Sequence, residues 1–582
     1  MLDGTTMLDG NGQAISHLLA DIEGSEHDAL RRRFGDGLEG VLNDDPYLAM
    51  GHAIEGAFQR CDRAAMMLGI ENDDPRRIRA GILEAMRKAR TSGHCHLPAI
   101  EIGRQAGKVL GLTPASIRPV LDDLDGGELM RSGEGNNESY APRDLHFAER
   151  GIARTLLRLS AGRPPWQIAN PEAALQVANR HTGKPLTGSQ REAFLGVLKN
   201  KVSIITGGPG TGKTTLLRAL LHALKRAGAR PKQAAPTGRA AMNMIDATGM
   251  DAETVHLLLG RSDDGRGFRH GPDEPLDCDV MVVDEGSMMD VLLLHGLVSA
   301  LPSHAALLLV GDNDQLEPVG PGRPFGDAIE SGRIAVYRLT EIMRQAAGSR
   351  IITGCDAIRR GQVPKTSQNP AESDLLFYRV SDPNKVAATI VDLAARGIPK
   401  LLGIDALRDV QVLSPMNVRI LGTTHLQPLL REAIDRTSGP EIRTRHGNFA
   451  RGDKVLHVRN DYRIGVRNGE IGIIEGVEPR SGTVTVAYAD RLVPYDRFAM
   501  EDLRHGYGVS VHKSQGSEYP AVIMPVVTEH AFMLRRRLLL TALSRGKQMT
   551  VMVGSEAALE RAVANARDDS RHTNLKRLLM EG

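Results

Sequence analysis

The sequence predicts an α/β fold built on parallel sheets, and three observations carry that prediction. Short, continuous apolar runs alternate with helical segments from about Leu186 onward. One of these runs leads straight into a glycine-rich loop and then an apolar helix, Leu216–Leu224. A single stretch, 441–503, breaks the alternation and is instead rich in glycine and β-branched residues. Strands alternating with helices argue for a doubly wound core, and continuous rather than alternating apolar runs suit parallel strands buried on both faces.

The elements follow in chain order. Residues 13–160 read as a mainly helical domain, with apolar positions at helical spacing in Ile54–Met67 and Ile78–Ala89. Within it, Arg131–Asn137 is polar and glycine-rich, as in a hairpin tip, and Ala161–Pro165 reads as a linker. The strand candidates are then Val202–Thr206, Val280–Val283, Ala306–Val310, Val410–Leu413, Val522–Val527 and Met549–Val553. A polar, turn-rich insertion at Gly260–Asp277 has the makings of a hairpin. In the 441–503 stretch, Ile471–Val477 and Thr483–Tyr488 look like antiparallel strands, with turns such as Asn468-Gly469. The expected division is a helical domain at 1–160, a first α/β domain at 161–345 carrying the 260–277 hairpin, a second α/β domain at 346–440 and 504–582, and a small barrel at 441–503 inserted into it.

Bulk properties set limits. A chain of 582 residues has room for three to five domains. The formal charge is only +2, so a nucleic-acid groove would need local clustering of Lys and Arg. Aromatics make up 3%, too few for a long ladder of stacked bases, so contacts to a strand would fall mainly on its backbone. Cys61, Cys95, Cys278 and Cys355 are widely spaced and contain no CxxC, which fits a reducing cytoplasm. Met1–Gly12 lacks the basic and apolar regions of a signal peptide and reads as a frayed leader or a pair of alternative starts, and no apolar run is long enough to span a membrane. Met66-Met67 and Met288-Met289 read as core filling.

The chemistry starts at Gly207-Gly208-Pro209-Gly210-Thr211-Gly212-Lys213-Thr214, which matches GxxxxGK[ST] between a strand and a helix. Glycines let backbone N–H groups curl around phosphate oxygens, and the helix start adds its positive end. The loop with Thr215 is the expected ATP cradle, with Lys213 reaching the β- and γ-phosphates and Thr214 holding Mg²⁺. After the next buried strand come Asp284 and Glu285. Such a pair can be an ordinary surface turn; beside a phosphate loop it suits Mg²⁺ binding by Asp284 and water activation by Glu285. Gln315, in Gly311–Val319, follows another strand end and can report on the γ-phosphate or the water. Arg344 and Arg545 are candidates for stabilising charge on the transferring phosphoryl group. Gln190 carries an amide able to pair with adenine. Arg535-Arg536-Arg537 either lines a cleft or is a solvated helix face.

In order, Gln190, the Gly207–Thr214 loop, Ala235–Ala241, Asp284–Asp290, Gly311–Val319, Arg344, Val511–Ser517 and Thr541–Arg545 resemble superfamily 1B DNA helicases of the RecD type, over about two-thirds of the chain. Ser414-Pro-Met, Gly452–Val455 and Asn468–Gly472 resemble that family's second RecA-like domain and its inserted SH3-like β-barrel. Asp45-Pro-Tyr47, Cys61–Ala64, Leu68–Ile70, Arg77-Ile78 and Gly93–Pro98 resemble the region ahead of the motor in free-standing RecD-like helicases, although those proteins usually have a longer N-terminal portion with paired helix-hairpin-helix elements. Gly286 and Ser544 depart from commoner residues in their motifs.

The resemblance implies 5′-to-3′ translocation on single-stranded DNA, unwinding of duplex DNA in repair or recombination, and single-strand-binding protein as a candidate partner. It implies that Pro236, Thr237, Arg239, His512, Ser514 and Thr541 lie near the strand or the nucleotide, and that the 260–277 hairpin is a strand-separating pin. Other readings stay open: a nucleotide-driven remodelling module that does not unwind, or an RNA helicase. His94, Cys95 and His96 could suggest zinc or a relaxase, but no second ligand cluster or tyrosine constellation accompanies them, and a packed histidine pair fits better.

Overall fold

The computed structural model describes residues 15, 18–19, 30–52, 57–262, 267–343, 348–461, 463–489, 491–566 and 571–582. The chain divides into two compact units, one of 1–150 with 320–322 and 571–574, the other holding the remainder.

The first unit is mainly helical, as expected, and ends at Arg150 rather than at 160. Helices Ala57–Met67 and Pro75–Thr91 replace the two periodic stretches, the second started by Asp74 capping Arg76 N–H with Pro75 in the first turn. A three-stranded sheet joins them: β1 (Leu97–Pro98), β2 (Leu129–Ser132) and β3 (Ser139–Pro142), in the order β1-β3-β2. The Arg131–Asn137 tip is therefore the β2–β3 hairpin. Buried Arg77 holds both oxygens of Asp62 (2.9 and 3.1 Å), which also accepts Tyr47 Oη (2.6 Å). Met66 and Met67 are exposed, which corrects their reading as core. Met289 is buried.

The second unit contains two parallel sheets. The first comprises β4 (Val202–Gly207), β5 (Pro231–Ala235), β6 (Glu253–Thr254), β7 (Val280–Val283), β8 (Ala306–Gly311) and β9 (Ala335–Leu339), in the order β6-β5-β7-β8-β4-β9. Strands β7, β8 and β4 are thus neighbours, and all pairings are parallel. Their carboxyl ends bring the two acids, the Gln315 loop and the phosphate loop to one edge of the sheet.

The second sheet begins with β10 (Leu375–Arg379) and β11 (Val410–Ser414). The chain then leaves for seven antiparallel strands: β12 (Ser438–Thr444), β13 (Gly447–Arg451), β14 (Lys454–His457), β15 (Ile471–Glu478), β16 (Thr483–Ala487), β17 (Leu492–Tyr495) and β18 (Leu503–His505). It returns as β19 (Gly508–Ser510), β20 (Tyr519–Val526) and β21 (Gly546–Gly554), giving the parallel order β10-β21-β20-β11-β19. The inserted barrel is present and slightly wider than expected.

Lys454 anchors the barrel. It is 2% exposed, and its ammonium donates to the Val410 carbonyl of the second sheet at 3.1 Å. Burial pushes its pKa down from 10.5 to about 7. Between those values the unfolded chain binds more protons than the folded one, so this lysine makes stability climb as pH rises from about 7 to 10.5. Lys454→Met is expected to raise the melting temperature at pH 7 and to flatten that alkaline climb, as thermal melts at neutral pH and about pH 9.5 will read.

Candidate nucleotide cleft

The phosphate loop runs from β4 into the helix Lys213–Arg226. Gly210 (φ 74°) and Gly212 (φ 77°) adopt left-handed backbone that favours glycine, and they turn the chain into the cradle. Lys213 Nζ donates to the carbonyls of Gly207 (2.5 Å) and Gly208 (3.2 Å), so the ammonium lies folded over the loop where phosphate would sit. Thr211 Oγ1 ties back to Gly208 O at 2.8 Å, while Thr214 is exposed at the helix start.

Gln190 departs from its expected role. It is fully buried, its Oε1 accepts from Thr187 N (3.1 Å) and its Nε2 donates to Thr211 O (2.9 Å). Both ends of the amide are engaged within the protein, so in this structure Gln190 braces the phosphate loop. Met343 N also donates to Gly210 O (3.1 Å), which brings the segment before Arg344 against the loop. Arg344 itself lies outside the described residues.

Asp284 and Glu285 follow β7. Desolvation first, and then neighbouring Glu285, push the Asp284 pKa up to about 6, with Lys213 pulling the other way. Glu285 has φ 51°, a left-handed conformation costing about 1 kcal/mol or more in a residue with a side chain. Two crowded carboxylates facing a lysine have the chemistry to accept a divalent cation, and Thr214 and Asp284 are the side chains that would hold it. No group of three or more His, Cys, Asp or Glu placed to hold a metal ion is found among the described residues.

The loop after β8 is gripped from the second sheet's domain. Asp312 is 1% exposed and accepts Gln315 Nε2 at 3.2 Å. Gln315 Oε1 then accepts from Arg545 Nη2 at 3.0 Å. Leu316 N donates to Thr541 Oγ1 (3.0 Å), and Leu316 O accepts from Gln515 Nε2 (3.2 Å). Arg537 reaches Glu317 Oε1 at 2.8 Å, which places it in the cleft, whereas Arg536 binds Val563 O. Arg545 is itself buried and locked to Thr541 O and Ser517 O at 3.1 Å each. Sequence reasoning had named Gln315 and Arg545 but not Gln515, although it lies inside the Val511–Ser517 motif.

The expected strand-contacting residues divide. Thr237 caps the helix Gly238–Thr248, exposed Arg239 donates to Glu518 O (2.8 Å) and covers the Tyr519 ring, and Pro236 and His512 are partly exposed. Ser514 and Thr541 are fully buried, with hydroxyls donated to Val511 O and Arg537 O, so neither is free to hold a strand. Ser514 is thereby corrected as a direct strand contact, while Thr541 stands at the nucleotide cleft through the bond it accepts from Leu316 N. A cleft of about 470 Å³ between the second sheet and the barrel is lined instead by Lys513, Arg504, His446, Thr423, Thr424 and Asn417. At the 260–277 insertion, Arg261 and Phe268 form an antiparallel bridge, so the base of the hairpin is present; 263–266 lie outside the described residues. His94 Nδ1 accepts from His572 N at 3.1 Å and the two rings stack, which supports the packed-histidine reading.

Comparison with known proteins agrees with this geometry. Four family models match: the ATP-dependent RecD2 DNA helicase HHH domain at 17–96, an AAA domain at 190–321, the RecD-like helicase SH3 domain at 424–488 and the UvrD-like helicase C-terminal domain at 505–553. The chain is 31% identical over 545 residues to an ATP-dependent RecD2 DNA helicase of Deinococcus radiodurans, covering 90% of this chain and 72% of that one. It is 31% identical to the RecBCD enzyme subunit RecD of Mycobacterium tuberculosis, over 68% of this chain and 76% of that one. A Bacteroides Pif1 helicase solved with ADP-AlF3 and single-stranded DNA aligns with a TM-score of 0.40 at 17% identity, over 63% of this chain and 92% of that one. With two parallel-sheet domains, an inserted barrel and this cleft, the chain belongs to the family of ATP-dependent RecD2-type DNA helicases.

Proposed function

We propose that this DNA helicase steps 5′-to-3′ on single-stranded DNA and unwinds duplexes, in the service of repair or recombination. The observation that carries the reading is the grip on the 312–317 loop. Gln315, Leu316 and Glu317 are all held by side chains of the opposite domain, so a change at the γ-phosphate is felt on both sides of the cleft. Thr214 and Asp284 would hold a Mg²⁺ ion, which when bound would supply charge neutralisation at the transferring phosphate. Lys213 binds the phosphates, Glu285 takes the proton of the attacking water, Gln315 orients that water, and Arg344 and Arg545 stabilise the equatorial oxygens. The cycle closes and opens the two domains, and alternating grip on the strand becomes stepping. Phosphate contacts from Pro236–Arg239, His512 and the basic cleft at Arg504 and Lys513 hold the strand without reading sequence.

The name of the Deinococcus radiodurans relative, an ATP-dependent RecD2 DNA helicase, supports ATP as the fuel and DNA as the track. The 260–277 hairpin is the candidate pin. The buried Cys61, Cys95, Cys278 and Cys355 suit a reducing, cytoplasmic setting. Separately, no helix among the described residues is long and apolar enough to cross a membrane. Single-strand-binding protein remains a proposed partner on family grounds. The link between helices Ala57–Met67 and Pro75–Thr91 carries Glu71, Asp73 and Asp74, with Arg76 paired to Asp74 at 2.7 Å, so it gives no support to duplex binding by that hairpin. Strand displacement on duplexes with a 5′ tail, a 3′ tail or none tests the reading. Unwinding only with the 5′ tail is expected. Unwinding only with a 3′ tail would overturn the polarity, and DNA-stimulated hydrolysis with no displacement would favour a remodelling module.

A further inference from the structure

An arginine of the second domain reaches the phosphate loop at a position no motif marks. Arg359 ends the helix Arg350–Arg359, whose Ile351, Cys355 and Ile358 pack into the core with Phe377, Val522 and Met524 of the second sheet. Its side chain is 25% exposed and crosses to the first domain, where Nε lies 2.5 Å from Asp314 and Nη2 lies 3.4 Å from Asp312. The guanidinium is so close over Gly208 that a Cβ at that position would collide with it. In the GxxxxGK pattern this position is unrestricted. Here a side chain at 208 would have to push the Arg359 guanidinium aside.

Beneath the same residue, Lys213 Nζ donates to the carbonyls of Gly207 and Gly208. Two cations from two domains therefore converge on one turn of the phosphate loop. The carboxylates that balance Arg359 are unequal. Asp312 is 1% exposed and committed to Gln315 and to Asp314 N, whereas the Asp314 side chain is 48% exposed. A triphosphate entering the cradle offers a planar guanidinium a stronger, bidentate acceptor than a solvated aspartate.

We propose that Arg359 is a ligand of the terminal phosphate of bound ATP, parked on Asp314 and Asp312 while the cradle is empty. The exchange moves an ion pair and no bond is broken. It rests on the reading of Gly207–Thr214 as the ATP site. It goes beyond that reading by adding a phosphate contact from the second domain that senses ATP and ignores ADP.

The test is equilibrium binding of a non-hydrolysable ATP analogue and of ADP to the full chain, with a thermal melt of each variant. Arg359→Ala is expected to weaken the analogue by about tenfold or more, the scale of one charge-assisted hydrogen bond. ADP affinity should change less than about twofold. Arg359→Lys should recover part of the loss. An unchanged ratio of analogue to ADP affinity, whether both hold or both fall together, would overturn the proposal and leave Arg359 a brace between domains. Should Arg359→Ala melt early, Asp314→Asn answers separately: freeing Arg359 should tighten the analogue relative to ADP, and no gain would count against the proposal. Failure of the wild-type chain to bind either nucleotide, or full binding by Lys213→Ala, would instead sink the ATP-site reading.

Discussion

Arg545→Ala is expected to slow DNA-stimulated ATP hydrolysis by about 10³-fold or more, the range set by arginines that stabilise a transferring phosphoryl group. ATP binding should fall far less, because the loop and Lys213 stay intact. The guanidinium spends its bonds on Thr541 O, Ser517 O and Gln315 Oε1, so it is held in place before any nucleotide arrives. A preset donor needs no reorganisation when charge develops. The same bonds give the variant a structural cost, since the Ser517 carbonyl and Gln315 Oε1 lose this donor, about 1–3 kcal/mol for each group left unpaired, while Thr541 O keeps Ser544 Oγ. Thermal melts separate that cost from the chemical one. Arg545→Lys keeps the charge but loses the planar fork, and should recover stability better than rate.

The second large effect is Asp284→Asn, expected to lower hydrolysis by about 10²-fold or more while raising the melting temperature of the nucleotide-free protein. Desolvation at the half-buried cleft and the neighbouring Glu285 push its carboxyl up to about 6 in the folded chain, from an ordinary 3.8. The folded state therefore binds more protons than the unfolded state between those values. Stability contributed by this group falls as pH rises through that window, and the penalty is complete above about pH 6. Asparagine carries no such charge, so the gain in melting temperature should be greatest at pH 7–8 (about two units above that value) and vanish towards about pH 4. Catalysis runs the opposite way. The ionised form is the one that takes a cation, so hydrolysis by the wild type should drop as pH falls through about 6. A variant that is both inactive and less stable at pH 8 would contradict this assignment.

Sequence resolved the parts whose signal is local. The central strands β4, β7 and β8 are continuous apolar runs, and the phosphate loop is a spacing of glycines that few other structures need. Strands at or next to the sheet edges were harder. Pro231–Ala235 contains no β-branched residue, and Ala335–Leu339 is only partly buried, so both are strands by virtue of their neighbours in the sheet. The site shows the same divide. Lys213, Asp284, Glu285, Gln315 and Arg545 lie in recognisable flanks and converge. Gln190, Ser514 and Thr541 stand in the expected places, but their polar atoms are already bonded to the protein, which no pattern of letters reveals. Arg359 was invisible because nothing adjacent in sequence marks it. Only packing of its helix on the second sheet aims it at Gly208.

The central claim is that the fuel site is an interface, with Gln315 passing the state of the phosphate to Arg545 in the facing domain. A double-mutant cycle on ATP hydrolysis tests it most directly, using Gln315→Ala, Arg545→Ala and both together. Residues acting as one unit give a double variant about as slow as Arg545→Ala alone. Rate losses that multiply would mean that the two side chains act independently, and would contradict the relay across the cleft.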